Sequence, residues 1–316
     1  MSSVAASEDN PFQPLISQTN SDPAQLQSRY ENHRATRNAQ QAANILAADF
    51  DGWSLDEILI RLEGPGKEEG FVDPRNCLVI WARPPSHVRE LIGFVQKKLG
   101  RLIYCSSTVL MPLDNLHMTV LEAAHSLTQE QIQTLVDTLN SSTEISTGEI
   151  ADYTYNHRAR LIKPMVSFDS AAMALSFVPA AAEDSRAKRS LKEDSYSYHH
   201  LRRDIFEMVR SAGIPVASRY SVPSAHVTIA RFITQDGFTD HSTEEKPQVS
   251  VSRSRVKLLI DKIEEINKRL EAAYWPQDNG TMNAGEWLVG QEKGLVIRKG
   301  RLWYGGGEDV ELGKGY

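Results

Sequence analysis

The chain has 316 residues, of which 41% are hydrophobic and 24% charged, a composition typical of a globular protein with a substantial core. Its net charge of −6 gives no overall attraction for long nucleic acid or an anionic membrane, although a local pocket for a small phosphorylated ligand stays open. No apolar segment is long enough to span a membrane, and the first residues do not resemble a secretory signal. We therefore expect a cytoplasmic protein, with the nucleus as the alternative.

The N-terminal part of the chain differs in composition from the rest. Residues 1–28 are rich in Ser, Asn, Gln, Asp and Pro, and predict a disordered tail. Residues 29–70 predict a helical N-terminal extension in two pieces, interrupted near Gly52 and Trp53, followed by a turn-rich linker. We expect the compact domain to occupy residues 71–316.

The compact domain begins with elements in the order strand, helix, strand and helix. The first strand is predicted from Cys77 to Ala82, and Pro84 opens a helix with apolar residues at helical spacing. The second strand contains His117 and Thr119. The helix after it begins near Thr128, which has the spacing of a capping box.

The same order recurs in the second half. Two strands are predicted near Leu161 to Phe168 and Ala172 to Val178, and a helix follows that Gly213 ends. A strand with His226 and Thr228 comes next, and then another helix. A terminal hairpin is expected to turn at Lys299-Gly300.

Two of the predicted strands therefore carry the tripeptide His-x-Thr, as "HMT" at His117 and "HVT" at His226. Residues i and i+2 of a strand point to the same face, so each His and Thr share one side while apolar neighbours take the other. One such tripeptide is a weak signal. Two of them at equivalent places in a repeated unit favour a shared site over the alternative, a solvated face on each sheet.

The pair "HMT" and "HVT", the second continuing as "HVTIARF", resembles the two-histidine (2H) phosphoesterase superfamily, which includes 2′-5′ RNA ligase-like proteins and cyclic nucleotide phosphodiesterases. The resemblance implies an α+β fold with two lobes, about 71–150 and about 151–316, which are pseudo-twofold duplicated strand-helix-strand-helix units. Two antiparallel sheets would form a central cleft, to which each lobe contributes one His-x-Thr strand. The N-terminal helical extension has no counterpart that we can assign.

The resemblance also implies a metal-independent phosphodiesterase that hydrolyses 2′,3′-cyclic phosphate or 2′-5′ phosphodiester bonds of nucleotides or RNA ends. His117 and His226 would be the catalytic acid and base, since the usual pKa of histidine lies near neutral pH, and sequence does not assign the two roles. Thr119 and Thr228 would donate hydrogen bonds to phosphate oxygens. We expect no cofactor and no metal, because no convincing ligand spacing is present. The expected partner is the nucleotide or RNA-end substrate, with no membrane and no long DNA.

Two residues are weaker candidates for substrate binding. Tyr220 could stack on a base, with buried aromatic packing as the alternative. Arg231 matches the family's flank, but strict alternation places it opposite His226, on a surface-facing side, unless the strand bulges. The two cysteines, Cys77 and Cys105, predict buried free thiols, and His125 has no partner that the sequence identifies.

Two other functions stay open. One is a non-catalytic nucleotide-binding or scaffold module, which the intact motifs disfavour. The other is a 3′-end RNA exonuclease of the same superfamily, which needs a basic groove and is disfavoured by the net acidity.

Overall fold

The computed structural model describes residues 9–63, 66–100, 108–183, 191–216, 221–241, 249–277, 285–302 and 306–316. The helices in these ranges are α1 (Gln13–Gln18), α2 (Pro23–Leu46), α3 (Glu57–Leu62), α4 (Ser86–Gly100), α5 (Gln129–Ser141), α6 (Thr147–Ala151), α7 (Leu191–Asp194), α8 (Tyr198–Ser211) and α9 (Arg253–Tyr274). The strands are β1 (Asn76–Ala82), β2 (Thr108–Leu110), β3 (Met118–Ala124), β4 (Arg160–Phe168), β5 (Ala172–Pro179), β6 (Ala225–Phe232), β7 (Thr239–His241), β8 (Val249–Val251), β9 (Trp287–Leu288), β10 (Leu295–Arg301) and β11 (Glu308–Leu312).

Two antiparallel sheets carry the two motifs, so the predicted α+β class with antiparallel sheets is confirmed. One sheet has the order β11-β10-β1-β3 and the other the order β2-β6-β5-β4-β9. The motif strands β3 and β6 belong to different sheets and contact each other. The sheets do not follow the predicted division of the chain near residue 150, because β2 joins the sheet of β6 while β10 and β11 join the sheet of β1. None of the described helices is both long and apolar enough to cross a bilayer.

The predicted order of elements around each motif is found, and local chemistry accounts for it. Helix α4 follows the Pro84-Pro85 pair, and its apolar stripe, which includes Val88 and Ile92, is buried. Helix α5 begins with the predicted capping box, in which Thr128 and Gln131 satisfy each other's backbone N–H groups. Strand β1 is buried on both faces, as an inner strand covered on each side must be.

The disordered tail predicted for residues 1–28 is wrong where the structure describes that segment. Helix α1 and the first turns of α2 lie within it, and Phe12, Ile16 and Leu26 are buried. Asp22 caps α2 by accepting a hydrogen bond from the backbone of Gln25, directly before a proline at the first helical position. A few apolar residues that dock on the domain outweigh the polar composition, and residues 1–8 lie outside the described ranges.

A buried histidine connects these N-terminal helices to α8. His199 donates its Nε2–H to the carbonyl of Phe12 at 3.0 Å, and its Nδ1 lies 2.8 Å from the hydroxyl of Tyr30. Since a carbonyl can only accept, the ring is the Nε2–H tautomer and Nδ1 accepts from Tyr30. The N-terminal extension is therefore packed onto the domain through a fully satisfied polar contact.

The turn predicted at Lys299-Gly300 is also wrong. Strand β10 continues through both residues and pairs with β11, so the chain reverses between Arg301 and Glu308. Gly300 has a φ of +109°, and a Cβ there would lie 2.9 Å from the Cα of Gly307. Gly300 thus permits a close approach of two strands rather than a turn.

Candidate active site

A cavity of about 150 Å³ lies between the two motif strands. The structure brings together His117, Thr119, His226 and Thr228 on its walls. Arg231 lines it as well, whereas Tyr220 lies outside the described residues. A second cavity, of about 450 Å³, shares Thr228 and its neighbours and continues between β4–β6 and helix α2.

His117 lies directly before β3 and is held through one ring nitrogen. Its Nδ1–H donates to the carbonyl of Asn115 at 2.9 Å, which leaves the lone pair of the neutral ring on Nε2. The ring stacks on Trp81 with 3.6 Å between centroids and 12° between planes. Burial lowers the pKa of His117 to about 4, and the positive charges of Arg83 and Arg298 act in the same direction.

His226 is held differently. Its Nδ1 lies 2.9 Å from the hydroxyl of Ser224, which can either donate or accept. Burial lowers the pKa of His226 to about 4, and Arg202 lowers it further, while the carboxylate of Asp169 raises it. Both motif histidines are therefore neutral at pH 7 when the cavity is empty.

A β-bulge in β6 changes which side chains face the cavity. Thr228 and Ala230 pair with consecutive residues of β5, so Ile229 is an extra residue in β6. Beyond it the alternation is reversed, and Arg231 lies on the side of Thr228. The prediction that places Arg231 opposite His226 is therefore wrong, because alternation assumes a regular strand.

The guanidinium group of Arg231 is held near the site by an acidic residue. Asp56, which caps α3, lies 3.4 Å from Arg231 Nη1 and 3.6 Å from Arg75 Nη1. The Arg231 side chain is about one-fifth exposed, so it is accessible from the cavity.

A second bulge occupies the corresponding place in β3. Thr119 and Leu121 pair with consecutive residues of β1, so Val120 is the extra residue. Glu122 consequently faces the cavity, three residues after Thr119, as Arg231 does three residues after Thr228. Sequence reasoning missed Glu122, although its spacing from the motif equals that of Arg231.

Side chains from two helices satisfy the carbonyl groups of the extra residues. Arg202 of α8 donates its Nε–H to the carbonyl of Val120 at 3.1 Å, and Gln96 of α4 donates its Nε2–H to the carbonyl of Ile229 at 2.9 Å. Each also donates to a second carbonyl, just upstream of His226 for Arg202 and upstream of His117 for Gln96. Because α4 precedes β3 and α8 precedes β6, each helix supports the bulge of the other motif strand.

Three potential metal ligands also line this cavity. The ligand atoms of Cys77, Glu122 and His125 all lie within 4.8 Å of one another. Sequence spacing does not reveal this group, because Cys77 comes from β1, whereas Glu122 comes from β3 and His125 from just beyond it. Strands β1 and β3 are separated along the chain by α4 and β2 and their pairing contains bulges, so their neighbouring residues are seen only in the folded sheet.

Comparison with known proteins adds two distant structures. No protein-family model matches the chain, and no curated protein matches it. A conserved protein of unknown function from Agrobacterium tumefaciens, ATU0111, is similar at 12% identity over 73% of this chain and 87% of its own, with a TM-score of 0.40. TT0787 of Thermus thermophilus is similar at 15% identity over 75% of this chain and 96% of its own, with a TM-score of 0.34. At these TM-scores the likeness supports no statement on fold or function.

Proposed function

We propose that the protein is a metal-independent phosphodiesterase that hydrolyses 2′,3′-cyclic phosphate or 2′-5′ phosphodiester bonds of nucleotides or RNA ends. The observation that supports it most is the presence of His117 and His226 in one cavity, each held by an oxygen at Nδ1. Two imidazoles that a phosphate can contact from two sides are what acid/base hydrolysis requires. Thr119 and Thr228 supply hydroxyl donors for the phosphate oxygens on which charge builds up.

The surroundings of the two rings favour His117 as the base and His226 as the acid. His117 has its lone pair on Nε2 in the neutral form, because the carbonyl of Asn115 fixes the proton on Nδ1. It takes a proton from water, whose oxygen then attacks phosphorus. His226 gives a proton to the departing ribose oxygen, and Asp169 is the carboxylate that favours its charged form. A bound phosphate anion raises the pKa of His226 further and so charges the acid only when substrate is present.

Arg231 completes the anion site in this proposal. Its guanidinium group lines both cavities and can donate to a non-bridging oxygen, since Asp56 at 3.4 Å orients it without enclosing it. Arg231 would therefore strengthen binding of the phosphate rather than transfer a proton.

We further infer that the two lobes are pseudo-twofold duplicates, with lobe 1 at about 71–150 and lobe 2 at about 151–316. The exceptions are β2, which joins the sheet of lobe 2, and β10 and β11, which join the sheet of lobe 1. Three features support this relation: each motif is followed at once by a bulge, each bulge carbonyl accepts from the helix of the other half, and the residue three after each Thr faces the cavity. The halves differ in that last residue, which is Glu122 in one and Arg231 in the other. The cavity wall therefore carries an acidic and a basic residue at corresponding positions of the two halves.

Incubation in EDTA with 2′,3′-cyclic nucleotides, 2′-5′ oligoadenylate and RNA ending in a cyclic phosphate tests the proposal. We expect product from at least one of them, and a loss of about 10²-fold or more in kcat for His117→Ala and for His226→Ala. His87→Ala is the matched control, because His87 is a half-buried histidine of α4 that does not line the cavity and contacts the carbonyl of Glu286. Full activity in the double variant, or no product from any substrate, would overturn the proposal, and the latter would favour the non-catalytic binding module.

A 3′-end RNA exonuclease is a second candidate, because the surface of α2 is locally basic. Arg29, His33 and Arg37 follow one another at four-residue spacing, which places them on one helix face. His33 and Arg37 line the second cavity, which reaches Thr228, and Arg29 lines the adjoining surface pocket. The whole chain has a net charge of −6, but these basic side chains make this groove locally positive. Stepwise shortening of an oligoribonucleotide with a free 3′-hydroxyl group would support this candidate.

A further inference from the structure

The proposed acid/base reaction leaves one group of cavity side chains unused. Cys77 of β1, Glu122 of β3 and His125 just beyond β3 place a sulfur, a carboxylate oxygen and an imidazole nitrogen within 4.8 Å of one another. Cys77 and Glu122 are 4% and 7% exposed, so both ligands are held inside the protein rather than on its surface. The arrangement is therefore not a chance meeting of mobile surface groups.

Two neighbouring strands fix the positions of these ligands. Cys77 alternates with Val79 and Trp81 in β1, and these three side chains pack together on the cavity side of the sheet. Val79 pairs with Glu122, which brings the thiol and the carboxylate to the same side of adjacent strands. Ligands placed on paired strands keep their separation better than ligands on loops.

His125 completes the group from the end of β3. Its Nε2 lies 4.0 Å from Oε1 of Glu122, and its Nδ1 lies 2.6 Å from the hydroxyl of Ser126. A hydrogen bond at one ring nitrogen orients the other, which is the usual supporting contact of a histidine that binds metal. The imidazole is about one-fifth exposed and so remains accessible to an entering ion.

We propose that Cys77, Glu122 and His125 bind a divalent transition-metal cation of the zinc class. A thiolate, an imidazole and a carboxylate are the three ligand types of zinc in proteins, whereas magnesium and calcium prefer oxygen ligands alone. Three protein ligands leave a fourth tetrahedral position open. Because all three line the cavity, that position faces it and takes a water or an anionic oxygen of a bound molecule.

The site lies beside the histidine pair rather than within it. Glu122 is the first cavity-facing residue beyond Thr119 along β3, so the cation adjoins the threonine and is not interposed between His117 and His226. Metal binding is therefore independent of the proposed proton transfers, and each can fail while the other holds.

The test uses the full chain, stripped of metal with EDTA and then titrated with Zn²⁺ or Co²⁺ alone. We expect one equivalent of Zn²⁺ by elemental analysis after dialysis, and a sulfur-to-cobalt charge-transfer band in the near ultraviolet with Co²⁺. Cys77→Ser should abolish the band and weaken Zn²⁺ binding by at least about tenfold, and Glu122→Gln and His125→Ala should weaken it similarly. Cys105→Ser is the matched control, since the chain has two cysteines, and it should keep both the band and the affinity.

Two results would overturn the metal site: no retained Zn²⁺ in the folded wild-type protein, or a cobalt band that survives Cys77→Ser or disappears in Cys105→Ser. His125→Ala guards against a folding artefact, because His125 is partly exposed and its loss should leave the circular dichroism spectrum unchanged. The two proposals fail in different measurements. If the protein binds Zn²⁺ in the titration but forms no product in the separate assay in EDTA, the phosphodiesterase proposal fails and the metal site stands.

Discussion

His117 at β3 and His226 in β6 occupy corresponding places, yet a backbone carbonyl holds one ring and a serine hydroxyl holds the other. A carbonyl only accepts, so it fixes the tautomer of His117, whereas the hydroxyl of Ser224 is compatible with either tautomer of His226. The charges near the rings differ too, since Asp169 acts on His226. The two tripeptides are thus placed in unequal electrostatic surroundings, and on this ground our proposal assigns the base to His117 and the acid to His226.

The largest effect should come from changing the leaving group. When a nitrophenyl phosphodiester is hydrolysed, nitrophenolate leaves as a stable anion that needs no proton, so loss of the acid matters little for this substrate. We expect His226→Ala to lose less than about tenfold in kcat on this substrate, whereas His117→Ala still loses about 10²-fold. Steady-state rates of both variants on both substrates measure this. Equal losses on the nitrophenyl ester would break the assignment of roles.

The next largest effect concerns the side chains that support the bulges. Arg202→Met removes two hydrogen bonds to backbone carbonyls, of which the one to Val120 is buried, and should lower the free energy of unfolding by about 2–3 kcal/mol, measured by urea unfolding. It should also raise the pKa of His226, because the charge of Arg202 lowers that pKa in the wild type. Gln96→Met is the matched control: it also removes two such bonds but no charge, so the pKa of His226 should stay unchanged. A shift in both variants, or in neither, would contradict this account.

A smaller effect is expected from Asp169. Its carboxylate raises the pKa of His226, so Asp169→Asn should lower that pKa. Since in our proposal His226 must be protonated in the substrate complex to act as the acid, the alkaline fall of kcat moves to lower pH in the variant, and NMR titration of the ring in the free protein checks the direction of the shift. The pKa of His117 should not move, and an equal shift of both rings would show that the two surroundings are not distinct.

The smallest effect is on stability, and the buried pair of histidines on α8 contributes to it together with the motif histidines. The pKa of His199 is lowered from 6.5 to about 3 and that of His200 to about 4, both mainly by burial. The unfolded chain therefore binds more protons between about pH 4 and 6.5, and the free energy of unfolding decreases as the pH falls through this window, by up to about 1.4 kcal/mol per pH unit for each histidine. Urea unfolding between pH 7 and 5 measures this slope, which His199→Gln should reduce. A flat profile would contradict it.

Sequence was sufficient for the elements that depend on local pattern. The stripes of α4 and α5, the capping box at Thr128 and the two motif strands follow from periodicity and turn chemistry alone. Sequence was insufficient where packing against a distant part of the chain decides whether a segment is ordered. Phe12 looks like an isolated apolar residue in a polar tail until it packs on Phe206 of α8, and the composition of the segment does not contain that information.

The same limit applies to the site. The shared face of each His and Thr was predictable because i and i+2 are local, but Arg231 and Glu122 lie beyond bulges that exist only in relation to β5 and β1. The group formed by Cys77 and His125 depends on strand register across more than forty positions of chain. His199 and Trp81 show the same dependence, since one is buried by the N-terminal helices and the other forms a ring stack with His117.

The hydrogen bonds of the Arg202 side chain to the backbone near both motif strands have a mechanical consequence. Helix α8 packs on β3, and its Arg202 donates both to Val120 of that strand and to Val222 just before β6, so a hinge motion that separated β3 from β6 would break one of the two bonds of Arg202. The width of the gap between the two imidazoles is then a property of the resting protein rather than of closure around a ligand. Selection of substrates by this cleft would depend on size and charge at entry, with little help from induced fit.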